Sequence, residues 1–183
     1  VTVHNGKLVV ELVDTRKWYE HIGINFSTPK ITVYIPQGEY GALFVKSSTG
    51  NVEIPKEFKF ENIDISESTG NVTNYASASE NIIIKTSTGN IRVENLSANT
   101  LDLSASTGEV TVSNVTCEGD VKINVSTGKT NLTNIECKNV MSNGNTGAIS
   151  LKNVIATEKF SIERSTGDVR FEGSDATEIS VKT

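Results

Sequence analysis

From residue 48 onward, apolar and polar residues alternate in short runs, and the runs recur in the same order about every 20 residues. After a glycine come two alternating apolar positions: Val52/Ile54, Ile91/Val93, Val110/Val112, Ile149/Leu151 and Val169/Phe171. A third apolar residue follows an asparagine, as at Leu96, Val115, Ile135 and Val154. A second alternating pair closes the unit: Ile63/Ile65, Leu101/Leu103, Val121/Ile123, Phe160/Ile162 and Ile179/Val181. Period-two alternation of β-branched residues predicts half-buried strands, not helices. Each unit therefore reads as two short strands joined by two turns.

A Ser-Thr-Gly triplet marks every unit. Its glycines are Gly50, Gly70, Gly89, Gly108, Gly128, Gly147 and Gly167, separated by 20, 19, 19, 20, 19 and 20 residues. One copy departs from the triplet, with Asn145 in place of the serine. Two strands cannot bury their apolar face alone, whereas stacked units can. The constant register predicts parallel pairing between neighbouring units at about 4.8 Å. The expected fold is thus all-β: a parallel β-solenoid of about seven coils, right-handed by the chirality of parallel connections. The repeated glycine is expected at a corner with positive φ. Ser and Thr beside it are expected to hydrogen-bond the turn backbone. Asn95, Asn114, Asn134 and Asn153, each six residues past its glycine, are placed to form an amide ladder up one corner.

Residues 1–47 lack the repeat and read as an N-terminal β cap on the solenoid of residues 48–183, in one domain. Val1–His4 and Lys7–Val13 flank Asn5-Gly6, a tight-hairpin signal. Ile22–Phe26, Ile31–Ile35 and Ala42–Lys46 are further strand candidates. The section carries six of the eleven aromatics (Trp18, Tyr19, Phe26, Tyr34, Tyr40 and Phe44), most of them expected to plug the solenoid end. Trp18 and Tyr19 lie in the polar stretch Asp14–His21 and are the weak ligand-binding candidates. The last unit stops at Lys182-Thr183, where the next triplet is due. Either the natural chain continues or a partner covers that end, by end-to-end or edge association.

Charge and composition narrow the function classes. The net charge is −5, and residues 48–183 carry 12 basic against 18 acidic side chains, which argues against nucleic-acid binding. No apolar run approaches the length of a spanning helix. No leader precedes Val1, so a cytoplasmic location and a removed leader both stay open. Cys117 and Cys137 both fall nine residues past their glycine, where other units carry Ala98, Ala156 and Ala176. Free, buried, stacked thiols are expected there, with a disulfide as the alternative, because parallel side chains hold the Cβ atoms rather far apart. No metal site is expected, since no histidine accompanies the thiols, and no other cofactor is implied.

An enzyme needs converging groups. Glu158 and Glu178 share a register 11 residues past their glycines, so their carboxylates could approach glycosidase spacing. Lys152 and Glu172 share a register in the same way and read as an ordinary ion pair. His4 and His21 lie outside the repeats, and no triplet serine has a histidine in register. The chain reads as non-enzymatic.

The run of Ser-Thr-Gly-x-Val/Ile-x-Val repeats, preceded by Ile31-Thr-Val-Tyr-Ile-Pro36, resembles the bacterial adhesin-type β-strand repeat family known as the DUF4097 domain. The resemblance runs from about Ile31 to Thr183. It implies a right-handed, pectate-lyase-like β-helix and presentation at the bacterial cell envelope, and it brings no catalytic motif. The expected function is a structural or interaction module facing a protein or cell-wall partner. The alternative is a carbohydrate-binding or polysaccharide-cleaving β-helix. A groove of aromatics and converging acids would favour the alternative; uniform Ser/Thr/Asn/Lys faces would favour the module.

Overall fold

The computed structural model describes residues 2–4, 7–10 and 31–183. The chain falls into two compact units, Val1–Val33 and Tyr34–Thr183. In the first, β1 (Thr2–His4) and β2 (Lys7–Val9) pair antiparallel, with Thr2 opposite Val9. The expected strand Ile22–Phe26 lies outside the described residues, as do Trp18, Tyr19 and His21.

The second unit is a parallel β-solenoid without helix among the described residues. Among the described residues, therefore, no helix is long and apolar enough to cross a membrane, which says nothing of a β-barrel. One strand column precedes the glycine corners. It runs through β3 (Glu39–Thr49), β5 (Lys59–Thr69), β7 (Ser77–Thr88), β9 (Thr100–Thr107) and β11 (Asp120–Thr127). It continues through the second halves of β12 (Thr130–Thr146) and β13 (Ile149–Thr166) and ends in β15 (Asp175–Lys182). The other column follows the corners: β4 (Val52–Ile54), β6 (Val72–Asn74), β8 (Ile91–Ala98), β10 (Val110–Cys117), the first halves of β12 and β13, and β14 (Val169–Glu172).

The first column begins earlier than the triplets suggest. Tyr40 pairs with Phe60 and Val45 with Ile65, so Glu39–Thr49 is already a rung of the solenoid rather than part of a separate section. The solenoid thus has about eight turns instead of the expected seven. Ile31–Ile35, expected as a strand, is not one: residues 31–36 are irregular, and Tyr34 is 92% exposed. Among the described residues no strand pairs with this segment, and β propensity without a partner strand does not fix a strand. Of the aromatics expected to plug an end, Tyr40 packs among Phe58 and Phe60, whereas Phe44 points outward from β3 and is 70% exposed.

The alternation translates directly into a core. Ile82, Leu101, Val121, Val140 and Phe160 form one fully buried stack, and Val72, Ile91, Val110, Thr130 and Ile149 another, in which Thr130 is polar. Each such aliphatic burial is worth about 1.5–3 kcal/mol. At the last rung the expected inward pair, Ile179 and Val181, is half exposed, because it has a neighbouring rung only on the β13 side.

Two corners set the geometry. At the glycine corner φ lies between +129° and +152°, and a Cβ on Gly108 would stand 1.9 Å from the carbonyl oxygen of Gly89. The backbone there closes rung to rung, Gly89 N–H donating to Thr107 O and Gly108 N–H to Thr127 O. At the other corner Asn95, Asn114, Asn134 and Asn153 adopt φ of 51° to 56°, the left-handed region that asparagine tolerates better than most residues. Their side chains bond in series: Asn114 Nδ2 to Asn95 Oδ1 (2.9 Å), Asn134 to Asn114 (2.8 Å) and Asn153 to Asn134 (3.1 Å).

Gly108→Val is therefore expected to damage the fold far more than Ser113→Val. Ser113 is an outward strand position whose hydroxyl bonds Glu94 at 3.1 Å, and its loss costs about 1 kcal/mol. Valine at Gly108 must push two coils apart and adopt a disfavoured φ. Thermal midpoints of the two variants check this, and equal midpoints would show that the glycine column is not a conformational requirement.

Candidate functional site

The strand rungs that lead into the glycine corners carry a shallow groove of about 440 Å³. Three adjacent columns line it. The outermost contains Lys46, Ser66 and Lys85, held in register by β3, β5 and β7. The next contains Ser47, Glu67, Thr86 and Ala105, and the third is the triplet serines Ser48, Ser68, Ser87, Ser106 and Ser126. The groove is polar, and no described residue that lines it is aromatic.

Glu67 is the unusual member. It continues the inward alternation of Ile63 and Ile65 and is only 5% exposed. Its Oε1 accepts from the Thr69 backbone N–H at 3.2 Å. Its Oε2 is buried and has no hydrogen-bond partner among the described residues. A buried carboxylate oxygen without a donor is costly, so such an atom demands a physical explanation. Reading the sequence for triplets alone passes over Glu67, although period two from Ile65 already turns it inward.

The triplet hydroxyls do not do what the sequence suggests. Among the described residues none of them bonds the turn backbone; the bond at the Ser68-Thr69 step comes from the Thr69 N–H. The corner is tied instead by a second asparagine column. Asn51 Oδ1 accepts from Asn71 N–H (2.9 Å), Asn71 Oδ1 from Asn90 N–H (2.9 Å) and Asn90 Oδ1 from Glu109 N–H (2.8 Å).

The other sequence candidates fall elsewhere. Glu158 and Glu178 are not opposite one another: a register shift between Ala156 and Lys159 sets Glu178 against Lys159. Glu178 bonds Lys159 at 2.6 Å, while Glu158 takes Lys138 at 3.4 Å and Asn139 at 3.3 Å. Each carboxylate is neutralised by its own lysine. Lys152 and Glu172 do pair, at 3.3 Å, on the exposed surface, where such a pair contributes little. Trp18 and Tyr19 lie outside the described residues. Among the described residues no cluster of three His, Cys, Asp or Glu side chains could hold a metal ion.

Cys117 and Cys137 are free and buried, in a column of small residues with Ala98 below and Ala156 above. Burial pushes the Cys117 thiol up to about 11, helped by the negative Asp120. Burial, then Cys117 and Asp120, pushes Cys137 up to about 12. Both stay protonated near neutral pH and contribute stability that is present below the unfolded-chain value and lost as pH rises through the folded values. Native protein at pH 8 is expected to react with a thiol-specific disulfide reagent far more slowly than protein unfolded in denaturant. Equal rates would mean that the thiols are accessible and the column loosely packed.

Compared with known families, the whole chain, residues 1–183, matches the family described as Toastrack DUF4097. No curated protein and no solved structure matches it.

Proposed function

The chain belongs to the Toastrack DUF4097 family, and on that premise we propose that it is a non-catalytic interaction module of the bacterial cell envelope, a rigid column that presents a polar strand face to a partner. The observation that carries this reading is the character of the groove. Among the described residues it is a Ser/Thr/Lys surface without aromatic rings, and Glu67 is the one carboxylate that lines it. Hydrolysis of a glycosidic bond needs two carboxylates across the scissile bond. The one pair that the sequence offered, Glu158 and Glu178, is instead split into two lysine ion pairs.

Polysaccharide cleavage is the competing reading, and two measurements separate them. Incubation with a panel of polysaccharides is expected to release no reducing ends. Turnover that disappears in a Glu158→Gln/Glu178→Gln variant would overturn the non-catalytic reading. Fractionation of native cells, followed by detection of this chain, is expected to find it with the envelope; recovery in the cytosol alone would overturn the location.

A further inference from the structure

Coils that resemble one another can be stacked in the wrong order. Their spacing is 19 or 20 residues, and neighbouring coils are apolar in the same columns, Leu101 and Leu103 in β9 lying under Val121 and Ile123 in β11. A slip by one residue exposes the core. A slip by one whole coil does not, because every inward side chain stays inward. Skipping a coil is therefore an error that the apolar pattern alone does not prevent.

One rung departs from three columns at once. Its strand, β12, carries Thr130 where the column otherwise reads Val72, Ile91, Val110 and Ile149. It carries Ser142 where the column reads Ile84, Leu103, Ile123 and Ile162, and Gly144 where the preceding rung has Val125. Thr130 and Ser142 are fully buried. All three meet a single side chain of the next rung, Arg164, which lies opposite Gly144 and is itself buried. Its Nη2 donates to Ser142 Oγ at 2.8 Å and to Thr130 Oγ1 at 3.3 Å. Among the described residues these are the only side-chain hydrogen bonds of the two hydroxyls. A Cβ on Gly144 would stand 2.9 Å from Arg164 Nη1. Serine and glycine thus leave free the space that the guanidinium fills.

We propose that Arg164 and its niche in β12 form a key that fixes the order of the coils. Stacked on β11, one coil too early, Arg164 would meet Val125 and Ile123 in the equivalent columns; on β9 it would meet Ala105 and Leu103. None of these side chains accepts a hydrogen bond, and a buried guanidinium left without acceptors is strongly disfavoured. The discrimination runs in the other direction too. With β15 in place of β13, Val181 would lie over Ser142, and the Ser142 and Thr130 hydroxyls would be buried without a partner. A buried polar cluster adds little stability over the aliphatic residues it replaces. What it adds is a difference between the correct stack and the stacks that skip a coil.

The variant Thr130→Val/Ser142→Ile/Arg164→Leu tests this, because it removes the whole set and gives each column an aliphatic residue. Gly144 is kept, since a Cβ there would also stand 2.2 Å from the Val125 carbonyl oxygen. The whole chain is unfolded in denaturant, refolded and treated briefly with protease, and the fragments are identified by mass spectrometry. The parent is expected to refold to one resistant species. The triple variant is expected to keep a thermal midpoint at or above that of the parent. Its fraction cut within Thr130–Thr146, the coil that β13 would skip, is expected to rise at least about tenfold. Ser142→Ile alone is expected to lower the midpoint, and Arg164→Leu added to it to restore the loss. A triple variant that refolds to the same single resistant species overturns the proposal. One that no longer folds also overturns it, since the set would then supply stability rather than order. Additive effects of Ser142→Ile and Arg164→Leu would show that Arg164 does not depend on its niche, with the same consequence.

Discussion

The close approach of backbone to backbone at the glycine corner is the constraint from which the rest of the solenoid follows. In six successive coils a Cβ there would lie 1.6 to 2.3 Å from the carbonyl oxygen of the glycine one coil earlier. Among the described residues, a Cβ on Gly50, at the first corner, meets nothing within 4 Å. Stacking at that distance admits one register, and one register places every other position in a column of its own kind. The aliphatic stacks, the amide ladder at φ near 50° and the small-residue column of Ala98, Cys117, Cys137 and Ala156 are consequences of the same closure. A one-residue slip would invert each strand and expose the core.

A column architecture also determines what a buried polar residue costs. Counting three back from each glycine, the inward column reads Ser47, Glu67, Thr86, Ala105, Val125, Gly144, Arg164. Two charges thus share one column several coils apart. Arg164 is 2% exposed, and its guanidinium reaches Ser142 Oγ (2.8 Å), Thr130 Oγ1 (3.3 Å) and the Glu163 carbonyl (3.0 Å), all neutral. Burial lowers its pKa. Gly144 in the rung before it supplies the room: a Cβ there would stand 2.9 Å from Arg164 Nη1. Arg164 thus makes three hydrogen bonds to internal partners, while among the described residues Glu67 Oε2 makes none.

The fold was legible because its cause is local and repeated. Alternation names the inward faces, and the triplet spacing names the register. What was not legible lies where the repeat is broken or silent. Glu39–Thr49 carries no triplet at its start, so it read as part of the leading section although Val45 stacks on Ile65. The shift between Ala156 and Lys159 is one extra residue, invisible to a count from the glycine, and it separates Glu158 from Glu178. The triplet hydroxyls were read as turn chemistry because serine and threonine so often serve that role. Here Asn51, Asn71 and Asn90 serve it instead. Glu67 and Arg164 were available from period two alone, but attention to apolar positions passes over an inward charge.

Rigidity gives weak surface contacts their leverage. Exposed hydroxyl bonds are individually worth little, since each replaces a bond to water. An array on a flexible support would lose that gain to the entropy of ordering it. Here the rungs are fixed by backbone bonds of 2.9–3.0 Å at the glycine corners and by asparagine columns on both sides. The hydroxyls are therefore already spaced before any ligand arrives. A repeating partner that engages one rung would meet each further rung as an intramolecular step, so on such a support affinity accumulates with the number of coils rather than with the strength of any one contact.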